Sequence, residues 1–159
     1  MDPNAVVEVF RKTITEHYVD FQGRVRRQEF WYYILAYVVI WIILAVVQSV
    51  FRSQILTGLY SLGLFLPTLG ISVRRLHDTD RTGWWVVLVA VPLVLLGLLT
   101  SFAMMTGAYG MMFLTATLLP ILSLAAAALL IYWYAQPGTP GANQYGPDPK
   151  SGEHAKAAA

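Results

Sequence analysis

The sequence predicts an all-α integral membrane protein: four transmembrane helices, a short amphipathic helix before them, and a Gly/Pro-rich cytoplasmic tail. Three observations predict it. First, four apolar runs of about 20 residues cover much of the chain, the length an α-helix needs to cross a hydrocarbon core of about 30 Å. Second, only 13% of the 159 residues are charged and 57% are hydrophobic, with a mean hydropathy of +0.55; a soluble domain carries about 25% charged residues. Third, the basic residues fall between the runs with a strong bias to one side. Strands are disfavoured, because a barrel strand reads as about 10 alternating residues and these runs do not alternate.

The elements follow in order. Residues 1–28 form a cytoplasmic N-terminal segment. Asp2 can cap a helix there and Pro3 suits its first turn. Val6, Val9, Phe10, Ile14 and Tyr18 fall roughly on one face, with Glu8, Arg11, Lys12 and Glu16 largely elsewhere. Such a helix can lie along the inner membrane surface or pack on the bundle. The first apolar run begins too late, and is too long, for a cleavable signal peptide. The transmembrane domain, residues 29–135, holds spans at about 31–51, 55–73, 84–105 and 111–133. Pro67, Pro92 and Pro120 lie inside the last three and can kink them. Ser123 with Ala125 to Ala128 offers a small-residue surface for close helix packing, within one chain or in a homo-oligomer. Residues 136–159 form the tail: QPGTPGANQYGPDP cannot continue a helix and reads as successive turns, and SGEHAKAAA reads as unstructured.

Ten of the eleven basic residues lie on one side if both termini share it; Arg52 is the exception. The positive-inside rule makes that side cytoplasmic. The net charge of +2 and pI near 9.0 are then explained by topology and anionic lipid rather than by nucleic acid. There is no cysteine, which excludes disulfides, thiolate metal sites and cysteine nucleophiles.

Three segments at the membrane boundaries stand out: FQGRVRRQEFWYY (residues 21–33), VRRLHDTDRTGWW (residues 73–85) and GANQYGPDP (residues 141–149). Together they resemble the domain-of-unknown-function 805 family of bacterial inner-membrane proteins, from about Tyr18 to Pro149. The family pattern is matched by Phe21, Gly23, Arg24, Arg27, Glu29, Phe30 and Trp31, then by Arg74, Arg75, Leu76, His77, Asp78, Gly83, Trp84 and Trp85. The third element is matched by Gly141, Asn143, Gly146 and Pro149, a turn in the tail. Thr82 stands where a serine is more usual. The resemblance implies a multi-pass bacterial inner-membrane protein and brings no assigned activity.

The candidate site is a cytoplasmic belt. Arg24, Arg27, Arg74 and Arg75, with His77, can converge on a lipid phosphate or another anion, because guanidinium forks suit phosphate. Glu29, Asp78 and Arg81 are expected in a structural ion-pair network, with Asp78 pairing Arg74 or Arg75 one helical turn back. Phe30, Trp31, Trp84 and Trp85 are expected as interfacial aromatics. Asp80 or Thr79 can cap the third span.

Little else carries chemistry. His77, Asp78 and Asp80 lack the repeated ligands of a metal site, and no metal or cofactor is expected. His17 reads as a lone histidine without a role. No nucleophile or acid–base signature is present, so a non-enzymatic protein is expected. No ionisable residue lies inside a span, whereas ion-coupled carriers and proton relays need them. The leading expectation is a protein that binds anionic membrane lipid, or a partner, through the arginine belt. The alternatives are a small transporter or channel component, then a membrane enzyme acting on a phosphate-bearing lipid.

Overall fold

The computed structural model describes residues 3–51 and 55–151. Asp2, Arg52 and most of SGEHAKAAA lie outside the described residues. Those described are helical with no strand; Asn143 and Gly146 form one isolated bridge. The chain divides into two compact units, one running to Arg81 and resuming at Pro137, the other spanning Thr82–Gln136.

The first unit begins with α1 (Pro3–Thr15) and α2 (Arg27–Phe51). The apolar face of α1 packs on α2: Phe10 stacks on Tyr33 with centroids 5.5 Å apart, and Val6, Val7, Leu35, Ala36, Val39 and Ile40 line a shallow groove. The start of α1 therefore stands beside the middle of α2, and the two run antiparallel. At the entry to α2, Glu29 accepts the Arg26 backbone N–H at 3.3 Å, the returning half of a capping box.

The next element is α3 (Ile55–Gly63), which packs on α2. Gln48 of α2 and Thr57 of α3 satisfy one another: the Gln48 amide donates to Thr57 Oγ1 at 2.9 Å and accepts the Thr57 N–H at 3.1 Å, as an apolar surrounding requires. The second expected span is not one straight helix. It breaks into α3 and α4 (Phe65–Asp78), bent by 46°. Pro67 is the physical cause. A proline has no N–H and its ring displaces the carbonyl four residues back, here that of Gly63. That carbonyl accepts the Tyr18 hydroxyl instead, at 2.5 Å.

The second correction concerns the end of α4. Residues 74–78, expected in a loop, are its last turn. Asp80 and Thr79 do not cap the third span; they terminate α4. Asp80 takes the left-handed conformation (φ 58°), Asp80 N–H donates to His77 O at 3.1 Å, and Arg81 N–H to Leu76 O at 3.0 Å. This is the paired-bond arrangement of a Schellman motif, with aspartate where glycine is usual.

The second unit is a helical hairpin. Gly83–Val86 form a 3-10 turn, followed by α5 (Val87–Thr106) and α6 (Tyr109–Ala135). Gly107, with φ 69°, supplies the left-handed residue that ends α5. Hydroxyls on both helices bond one turn back: Thr100 to Leu96 O, Thr115 to Met111 O, Ser123 to Leu119 O. Trp85 meets the edge of Trp133 at 5.1 Å.

Three helical stretches, α2, Gly83–Thr106 and α6, are long and apolar enough to cross a membrane, and the bent α3–α4 pair makes a fourth if it counts as one span. The first unit exposes Ile42, Val50 and Leu62 and the second Leu98 and Phe113, apolar side chains that suit lipid rather than water.

Candidate functional site

The charged end of the first unit is built where the start of α2, the last turn of α4 and the returning tail meet. Helix phase decides what each residue does. Ile71, Arg75 and Asp78 share the inner face of α4, and Arg75 and Asp78 are both buried there. Asp78 is the organising acceptor. Its Oδ1 takes Arg24 Nε at 3.1 Å and Nη2 at 3.0 Å, and its Oδ2 takes Arg75 Nη1. The Arg75 side chain is completely buried and that of Arg24 nearly so.

The tail is latched onto this pair. Arg24 Nη1 and Nη2 donate to the Gly141 and Thr139 carbonyls, both at 2.7 Å. Thr139 N–H returns to the Asp78 carbonyl at 2.8 Å. Gly138 lies so close that a Cβ there would stand 2.7 Å from Asp78 Cγ. Asn143 Nδ2 donates to His77 O at 2.9 Å, and Gln144 to Asp80 at 3.2 Å. Within the tail, Asn143 and Gly146 exchange backbone bonds of 3.0 and 3.1 Å, and Gly146 has φ 138°. The Gly141 N–H donates to Asp148, and Arg26 Nε donates to the Pro149 carbonyl at 2.8 Å.

Arg24 and Arg75 thus converge on a carboxylate of the chain rather than on an open anion site. His77 points toward the tail, not toward the arginines. Its ring lies flat on Tyr145 (centroids 3.8 Å apart, planes 2° apart) and its Nδ1 is 3.2 Å from Gly23 O. Burial lowers the His77 pKa below its usual 6.5, against the smaller pull of the Gly23 carbonyl. The unfolded chain therefore binds the proton more readily. Stability is complete above about pH 6.5 and declines as pH falls from there through the folded value. Lowering pH from about 7.5 to about 5.5 is expected to loosen the tail, seen as faster proteolysis within residues 137–149, and His77→Gln is expected to remove most of that dependence.

The other expected residues disperse. Glu29 serves the start of α2. Arg81 Nη1 donates to Thr79 O at 3.2 Å. Arg27 is exposed on the first turn of α2. Phe30, expected at the interface, is 2% exposed, with Trp31 at its edge. Trp84 and Trp85 are exposed.

Arg74 stands apart from Arg75. It is turned one residue around α4, toward a cavity of about 610 Å³ whose wall includes Lys12, His17, Asp20, Arg26, Glu29 and Arg74. Its side chain is 8% exposed, its Nη1 is 3.8 Å from Asp20 Oδ2, and its buried Nε has no hydrogen-bond partner. Sequence reasoning missed His17, Asp20, Lys12 and Arg26 here. His17 is not alone: its Nδ1 is 2.8 Å from Asp20 Oδ2. Burial would raise the Asp20 pKa, but the Gln22 N–H, His17 and Arg74 together hold it below the usual value. The three-residue spacing of His17 and Asp20 was the available signal. Asp20 is fixed in turn by Gly70, where a Cβ would come within 2.8 Å of the Asp20 carbonyl. Among the described residues no cluster of His, Asp and Glu could hold a metal ion.

Membrane-length apolar helices with one charged, tail-latched end define an all-helical membrane protein class. The chain belongs to the family described as "Protein of unknown function (DUF805)", which matches residues 18–147. It is 32% identical over 143 residues to "Inner membrane protein YhaH" of Escherichia coli K12, covering 86% of this chain and 93% of that protein. It is 33% identical over 144 residues to "Inner membrane protein YhaI" of the same strain, covering 89% and 96%, and 31% identical over 137 residues to "Uncharacterized protein YiiR", covering 86% and 90%. No solved structure matches the chain.

Proposed function

We propose that the chain is a non-enzymatic protein of the bacterial inner membrane that binds anionic lipid headgroups at its cytoplasmic face. It crosses the membrane four times, with the bent α3–α4 pair as one span and both termini inside. The observation that carries this reading is Arg74: a buried guanidinium whose Nε lacks a partner, on the wall of a cavity at the charged end. Burying a charged donor without an acceptor is costly, and an anionic headgroup at that depth supplies both charge and acceptor. Charge distribution supports the orientation. No Asp, Glu, Lys or Arg occurs from Thr82 to Gln136, so the α5–α6 turn is free to lie outside, and the basic end stays inside. The inner-membrane names of the relatives agree with the location. The hydroxyls of α5 and α6 bonded within their own helices favour a binding protein over a transporter or channel component.

Two results test this. A phosphatase that is active only in the periplasm is expected to be active when fused at the Gly107–Ala108 turn and inactive at the C-terminus; the reverse pattern contradicts the topology. Purified protein is expected to retain anionic over zwitterionic lipid, and equal retention contradicts the lipid reading.

A further inference from the structure

We infer that the cavity between α1, the start of α2 and α4 is a phosphate-monoester site. Arg74 and Lys12 would be the principal donors, and Arg26 would stand at its rim. This inference rests on the anionic-headgroup reading and adds the pocket and the ligand chemistry.

Four observations carry it. The Arg74 side chain is more than nine-tenths buried, and its Nε–H is unsatisfied. An Arg Nε–Nη edge presents two parallel N–H groups, which match two oxygens of one phosphate. Lys12 approaches the same cavity from α1 and forms no ion pair among the described residues. The wall carries Lys12, Arg26 and Arg74 against Asp20 and Glu29, an excess of one positive charge, while Arg24, also on the wall, is engaged by Asp78.

A monoester phosphate carries about −1.5 to −2 near neutral pH, so each charged donor gains more from it than from a monoanionic diester. A monoester also offers three free oxygens, enough for donors arriving from separate elements. The two carboxylates already have partners of their own. Asp20 already accepts from His17 and the Gln22 N–H, and Glu29 from the Arg26 N–H. At about 610 Å³ the cavity falls in the range of small-molecule sites, about 300–1,000 Å³. It therefore has room for the ester group behind the phosphate. The monoester can come from a phosphatidic-acid-type lipid headgroup or from a soluble phosphate, and the experiment separates them.

The full-length protein is placed in phosphatidylcholine nanodiscs containing phosphatidic acid, a monoester, or an equal charge of phosphatidylglycerol, a diester. Plain phosphatidylcholine nanodiscs with added inorganic phosphate form the third arm. Bound ligand is measured by native mass spectrometry. Phosphatidic acid is expected to be retained over phosphatidylglycerol, with Arg74→Gln and Lys12→Gln each weakening retention about tenfold or more. Arg11→Gln, exposed on α1 and off the cavity wall, is expected to change it by no more than about twofold. If Arg74→Gln fails to fold, Lys12→Gln carries the comparison. Inorganic phosphate binding with the same variant sensitivity, and no selective retention of phosphatidic acid, keeps the phosphate site and assigns it to a soluble ligand. Equal retention of both lipids, unchanged in the variants, overturns the cavity while leaving surface binding of anionic lipid standing. Binding of neither lipid nor phosphate overturns both.

Discussion

Replacing Asp78 with asparagine is expected to destabilise the first unit by about 3–5 kcal/mol, the usual cost of removing one partner from a buried ion pair. The magnitude follows from what is left behind. Arg75 is fully buried and Arg24 nearly so, so neither guanidinium can turn to water when the carboxylate charge is lost. Asparagine keeps the shape and one acceptor oxygen, but it puts an NH₂ group against an arginine. Thermal unfolding of the purified protein in detergent measures the loss. Arg81→Gln is the comparison: Arg81 is only partly buried and its Nη1 donates to a neutral carbonyl, that of Thr79, so a change within about 0.5 kcal/mol is expected. A small Asp78→Asn effect would mean that the carboxylate is not the hub.

Replacing Gly138 with alanine is the second large effect, with a different signature. The new methyl group would collide with the Asp78 carboxylate, which cannot swing aside because Arg24 and Arg75 hold it. The chain must instead move at Gly138. The Thr139 bond to Asp78 and the Arg24 bonds to Thr139 and Gly141 are then strained or lost together. The expected cost is about 1–3 kcal/mol, the range for overpacking a close contact. Because the Arg24–Asp78–Arg75 pairing survives, the loss is expected to concentrate in the tail. Limited proteolysis should show faster cleavage within residues 137–149, with α1 to α4 still protected. Uniform loss of protection would mean that the tail and the helices unfold as one.

The helices were legible because lipid imposes a blunt rule: α2, α5 and α6 read directly from uninterrupted apolar runs. Pro67 announced a kink in the second run, but the position and size of the bend depended on Tyr18 being near enough to take up the freed Gly63 carbonyl. Residues 74–78 were placed beyond the apolar run that ends near Val73, yet they continue its helix as the last turn of α4, with the charges of Arg75 and Asp78 buried against one another. Asp78 with Arg75 was accessible from the three-residue spacing, with Arg74 an equal alternative. What separated the neighbouring arginines was about 100° of helix phase, which a single sequence does not fix without knowing the buried face. Arg24 and the tail carbonyls lie more than 50 residues from Asp78, and no periodicity connects them. His17 and Asp20 were close enough in sequence to suggest a pair, but only the packing of α1 brings them beside Arg74.

That division between the two arginines is the core of the functional account: Arg75 serves the fold and Arg74 serves a ligand. The most direct measurement compares Arg74→Gln and Arg75→Gln for thermal stability in detergent, each with and without added phosphatidic acid. The account predicts that wild type gains stability on addition of the lipid, that Arg74→Gln starts near wild type and gains little, and that Arg75→Gln starts far below. A normal lipid-induced gain in Arg74→Gln, or the same loss of basal stability in both variants, would contradict it.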